Sequence, residues 1–96
     1  NLNGKSIINE PIEKLHWPFS NTDYVEFVYA LCAKGLGKKD NQSIMQVSKK
    51  LQQLFDFEPK DIYKTYQDIK NRKNSRTLFL DQLSTSLIIE MDKSEV

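Results

Sequence analysis

The chain has little of what most catalytic and metal chemistry requires. One cysteine, Cys32, and one histidine, His16, occur in 96 residues. A lone cysteine forms no internal disulfide, and without a second histidine or a cysteine cluster there is no zinc-ligand spacing. No G-x-x-x-x-G-K-[ST] or G-x-G-x-x-G run exists, which excludes nucleotide binding by those loops. No apolar run approaches the roughly 20 residues of a membrane span, and no signal peptide is visible. Ser20 stands near His16, but its position as a helix cap explains it without a nucleophile. Asp81 and Glu90 are too far apart on one helix to converge reliably. The expectation is a protein that is not an enzyme and holds neither metal nor cofactor. Charge of one sign is also missing: 14 basic and 13 acidic residues leave a net +1. The total therefore argues neither for nor against a polyanionic partner.

The distribution of charge is more informative than its sum. Residues 1–33 carry a net −2, residues 34–76 a net +6, and residues 77–96 a net −3. The segment 60–76 concentrates six basic residues against only Asp61 and Asp68. Such asymmetry points to a polyanion. Within that segment Ile62, Tyr66 and Ile69 follow the spacing of one helical face, with Tyr63 at its edge. Lys64, Lys70, Arg72, Lys73 and Arg76 fall to other faces and to the turn that follows. A short helix with a cationic end suits docking on a phosphate backbone.

The apolar spacing predicts four helices, near 21–34, 43–55, 59–71 and 77–92. Ser20 with Asp23 forms a capping box before the first, and Ser43 with Gln46 another before the second. Gly35 stops the first helix, and Pro59 is placed as the first residue of the third. The first helix contains the stretch Tyr24–Ala33 and is apolar on nearly every side except at Glu26, so it is expected at the centre, with Cys32 as a small buried hydrophobe in a reducing, cytoplasmic setting. The second is expected to bury Ile44, Val47, Leu51, Leu54 and Phe55 while exposing Lys49 and Lys50. The fourth is expected to bury Phe79, Leu83, Leu87 and Met91, widened by Leu80 and Ile88, so that alanine at Phe79 or Leu83 opens a cavity. Leu15-His-Trp17 reads as a short strand ended by Pro18, and Trp17 as part of the core. Residues 1–14 read as a linker or arm, 15–93 as the domain, and 94–96 as a tail. The chain opens Asn-Leu-Asn without an initiator methionine, as a piece of a longer protein would. Two short helices joined by a brief link and ending in a basic turn have the look of a helix-turn-helix.

Several of these residues together carry a family resemblance. They are Leu15-x-Trp17, Val25-Glu-Phe-Val-Tyr-Ala-Leu31 with Gly35, and Phe55. The most specific stretch is Tyr63-x-Thr-Tyr-x-x-Ile69, then Arg72-Lys73, Arg76-Thr77 and Phe79-Leu-Asp-x-Leu83, closing on Met91-Asp92. Over about residues 15–93 the chain resembles the RteC family, regulators of excision of tetracycline-resistance conjugative elements in Bacteroides-type bacteria. The resemblance implies the C-terminal domain of a transcription regulator, mainly α and of helix-turn-helix or winged-helix-like type. It also implies duplex DNA at a promoter or operator as partner, with Lys64, Arg72, Lys73 and Arg76 at the family's basic positions. Lys70, Lys49 and Lys50 complete the candidate DNA-contacting set. Tyr63, Tyr66, Trp17 and Phe79 match the family's aromatics, and their spacing on apolar faces makes them core residues first. An upstream regulatory domain or a homodimer is compatible with this reading. The competing reading is a helical protein-interaction module with a basic surface.

Overall fold

Ser20 opens the first helix. In the computed structural model, which describes residues 13–94, its hydroxyl accepts the Asp23 N–H at 3.0 Å, while the Asp23 carboxylate accepts the Ser20 N–H at 3.4 Å. Two orphan donors of the first turn are thereby satisfied. Helix α1 then runs Asn21–Lys34 and ends at Gly35. The Gly35 N–H reaches Cys32 O at 3.1 Å and the Leu36 N–H reaches Leu31 O at 2.9 Å. This crossed pair of bonds needs the positive φ of +137° that Gly35 supplies. A single 3-10 turn, Lys38–Asp40, leads to Ser43, whose reciprocal bonds with Gln46 open α2, Ile44–Phe55. Helix α3 spans Ile62–Lys70 and helix α4 spans Leu78–Ser94. The domain is mainly α. Among the described residues no strand occurs, so Leu15–Trp17 is extended chain held by one backbone bond, Leu15 N–H to Leu54 O. A wing likewise has no counterpart there. The arm expected over 1–14 lies outside the described residues for all but its last two positions.

The hub is α1: α2, α3 and α4 each pack on it, and α2 and α3 lean on α1 more than on each other. Tyr24, Val25 and Val28 of α1 are fully buried, joined in the core by Trp17, Val47, Ile62, Ile69 and Phe79. The expected central place of α1 is therefore met. Glu26 corrects the detail, because it is not a polar side facing water but buried, 6% exposed. Ser48 is buried as well, where it meets the Tyr24 hydroxyl at 3.0 Å.

The bounds of α3 and α4 and the core residues of α2 and α4 also differ from expectation. Helix α3 starts three residues after Pro59, because the Asn21 side chain takes both backbone groups of Lys60. Its Oδ1 accepts the Lys60 N–H at 2.8 Å and its Nδ2 donates to Lys60 O at 3.0 Å. Asp61 then turns left-handed, with φ +44°, and cannot continue a helix backward. Helix α4 begins at Leu78, one residue later than expected, and runs on to Ser94. Leu54 is 58% exposed, since it lies off the side of α2 that meets α1. The larger correction is α4. Phe79 is buried, but Leu83, Leu87, Ile88 and Met91 are exposed, at 39% for Leu83 and 56% for Leu87. The four-residue spacing makes an apolar side, yet only its first turn reaches the core; the remainder of a helix roughly 25 Å long projects past it. No helix among the described residues is long and apolar enough to cross a membrane.

Phe79→Ala should therefore destabilise the domain by about 3–5 kcal/mol through the cavity it leaves. Leu83→Ala should cost less than about 1 kcal/mol, since its side chain is already partly in water. Urea denaturation of the two variants checks this. Equal losses would mean that α4 packs along its whole length.

Candidate nucleic-acid interface

Helix α3 is fixed to α1 by its apolar side. Ile62 and Ile69 are buried, and the Tyr66 ring stacks on Tyr29 of α1 with centroids 3.8 Å apart and planes within 2°. The Asn21 clamp on Lys60 and a 3.5 Å contact from Asn21 Nδ2 to the Thr65 hydroxyl hold its N-terminal end. With three points fixed, the outward residues are determined: Tyr63, Lys64, Gln67, Asp68 and Lys70 face solvent.

Lys64 forms an ion pair with Asp68, one turn on, at 3.3 Å. Both side chains are mostly in water, so the pair contributes little to stability and yields readily to a stronger anion. No second ion pair forms among the described residues. The side chains of Lys70 and Lys73 have no hydrogen-bond or ion-pair partner there.

The turn from 71 to 77 is built by its own arginines. Arg72 Nη1 donates to Ser75 O at 3.0 Å, and Arg76 Nη1 donates to Lys70 O at 3.4 Å, drawing the two ends of the loop together. Ser75 holds the bend with φ +58°. Each guanidinium carries five N–H donors in a fixed fork, so one bond to a carbonyl leaves most of each fork free. The sequence pattern identifies these arginines as surface charge; their bracing of the loop is new. Thr77 follows, its hydroxyl donating to the Asp81 carboxylate at 3.2 Å where the first turn of α4 favours negative charge.

The seven candidate cations do not form one group. Lys70, Arg72, Lys73 and Arg76 are gathered at the C-terminal end of α3, with Lys64 on its exposed side. Lys49 instead borders a hollow with Asp61, Ile62 and Tyr63, at the opposite end of α3. Lys50 donates to Gln42 Oε1 at 2.9 Å, beside the loop of Gly37. The length of α3, about 12 Å from first to last residue, separates Lys49 from the turn.

Among the described residues no three His, Cys, Asp or Glu side chains come together where an ion could sit. Burial pushes the Cys32 thiol above its ordinary value, which keeps it protonated and a poor nucleophile.

A family model described as RteC protein matches residues 1–95 of the chain. The chain belongs to the RteC family. The match extends on both sides of the segment whose motif residues carry the resemblance. Comparison with curated proteins and with solved structures gives no match. Within this RteC-family chain, sequence reasoning misses Asn21 and Glu26. Asn21 gives no signal beyond its place in the first turn. Glu26 does give one, as a single acid inside an otherwise apolar helix.

The tyrosines that pin the helices have a pH signature. Burial raises the Tyr29 hydroxyl above its usual 10.0, with the neighbouring Tyr63, Tyr66 and Cys32 acting in the same direction. Burial also raises Tyr24, partly offset by its bond to Ser48. A raised folded value means that the unfolded chain loses these protons first. Stability should thus be full at neutral pH and fall as pH rises past about 10. Denaturant titration at several alkaline values checks this. Tyr24→Phe should flatten the decline, and an unchanged slope would show that the alkaline loss comes from other groups.

Proposed function

We propose that this chain is a DNA-binding domain of a transcriptional regulator controlling excision and transfer genes of a conjugative element. In this reading the basic turn at the end of α3 is its contact with duplex DNA. Membership of the RteC family supports the regulatory role. The single observation that carries the DNA contact is the set of cations at 70–76, which has no acidic side chain within ion-pair distance among the described residues. A cluster of cations left unneutralised on a rigid support is what phosphate recognition requires, because counterion release drives such binding. Helix α3, joined to α2 by the link 56–61, takes the part of the second, recognition helix in a helix-turn-helix-like pair. Lys64 supplies a further phosphate contact by exchanging Asp68 for DNA. Lys49 and Lys50, away from the turn, add general attraction only.

A specific observation also favours the second reading, a helical interaction module. The exposed apolar side of α4, Leu83, Leu87, Ile88 and Met91, is the kind of surface that proteins use for partners.

Lys70→Ala with Lys73→Ala separates the two readings, because neither side chain has a partner among the described residues. The melting temperature should not change. Duplex DNA affinity should fall, and the plot of log affinity against log salt should become shallower by roughly two, about 0.9 for each phosphate no longer neutralised. Arg72→Ala with Arg76→Ala should weaken DNA binding further while also loosening the turn. Competition by scrambled duplex distinguishes site-directed from general binding. Unchanged affinity of the lysine variant at low and moderate salt would remove the turn from the DNA contact and leave the interaction module standing.

A further inference from the structure

A cleft of about 660 Å³ opens between α1, the start of α2, α3 and the start of α4. That is within the range of small-molecule sites, roughly 300–1,000 Å³. Its walls are apolar and aromatic, formed by Tyr29, Ala33, Ile44, Tyr66 and Leu80. Glu26 lines the same cleft while being 6% exposed. One of its oxygens, Oε2, accepts the Leu80 N–H at 2.9 Å and so caps the first turn of α4 from another helix. The other, Oε1, is buried and has no hydrogen-bond partner. A buried carboxylate oxygen without a donor is costly, and such groups in folded proteins call for an explanation.

The cap does not supply that explanation. One acceptor oxygen suffices for the Leu80 N–H, and a neutral glutamine would provide it. The second oxygen and the ionisable group exceed what the fold requires. No cation among the described residues supplies the missing donor. Arg76 borders the cleft but its Nη1 is engaged with Lys70 O, and Lys38 makes no ion pair. An apolar cleft with one buried, unpartnered acceptor is complementary to a molecule with the reverse pattern.

We infer that this cleft is a ligand site for a small molecule with an apolar body and a cationic N–H donor head, the head bonding Glu26 Oε1. The apolar body lies against Tyr29, Tyr66 and Leu80. The inference does not rest on the DNA reading: Arg76 borders both the cleft and the basic turn, but the contacts assigned to the ligand are Glu26, Tyr29, Tyr66 and Leu80.

The test is an amide-resonance titration of the whole chain with benzylamine and, separately, with benzoate. These probes share an apolar ring and carry opposite charges. Benzylamine should shift the Leu80 amide and those around Tyr29, Tyr66 and Ile69 saturably, and benzoate should not. Glu26→Gln keeps the acceptor for Leu80 and should retain the dispersed spectrum of the folded domain. Its benzylamine affinity should drop about tenfold, as when a charge-assisted hydrogen bond becomes a neutral one. Absence of saturable shifts in the parent, equal binding of benzoate, or undiminished benzylamine binding by a folded E26Q would each overturn the site. The comparison of the two probes on the parent chain decides the matter even if E26Q fails to fold.

Discussion

The Trp17 ring is the constraint on which this fold depends. Six other aromatic rings lie with centroids 5.0–6.3 Å from it, and they come from nearly every part of the domain. Phe19 follows it in the chain, Tyr24 and Phe27 belong to α1, and Phe55 ends α2. Phe57 lies in the link, and Phe79 in the first turn of α4. Edge and tilted arrangements dominate, which is the geometry aromatic quadrupoles favour. The indole N–H donates to Ser20 O at 3.1 Å, tying the ring to the residue that caps α1. A chain this short has room for one modest core, and one tryptophan joins most of its pieces.

What this core positions is an end rather than a face. Helix α3 joins the same core through Ile62 and Ile69 and is locked on α1 by the Tyr29–Tyr66 stack and the Asn21 clamp. Its C-terminal end then carries the turn out of the packed region, where Arg72 and Arg76 hold the loop by its own carbonyls. The turn's charges therefore lie on a rigid mount with no ion-paired counter-charge among the described residues. Helix α4 follows directly from that turn. Phe79 and the Glu26–Leu80 bond anchor its first turn, while Leu83, Leu87 and Ile88 further along stand largely in water.

Much of this is legible in the residues, and the misses have one physical source. Capping boxes at Ser20 and Ser43 and the stop at Gly35 are local chemistry, and each forms as its sequence pattern predicts. The apolar side of α3 agrees with its spacing because Ile62, Tyr66 and Ile69 all turn toward α1. The spacing of Leu83, Leu87 and Met91 does make a stripe, but not a core, because periodicity reveals a side without revealing whether a neighbour covers it. Glu26 and Asn21 are the same failure in reverse. Their roles depend on Leu80 and Lys60, 54 and 39 residues away in the chain, which local pattern does not reach. The basic set is legible as a charge excess in 60–76, but its division into a turn group and the separate Lys49 and Lys50 needs the length and direction of α3. The RteC resemblance rests on scattered motif residues, and the family model covers them all.

The most direct test of the basic turn as a DNA contact is to add duplex DNA to the isotopically labelled chain and map the amide resonances that move. Shifts concentrated at 70–77 and at Lys64 are expected, weakening as salt rises, with the amides of Lys49 and Lys50 little affected. Shifts confined to the α2 lysines or to the exposed length of α4, with the turn unmoved, would contradict it.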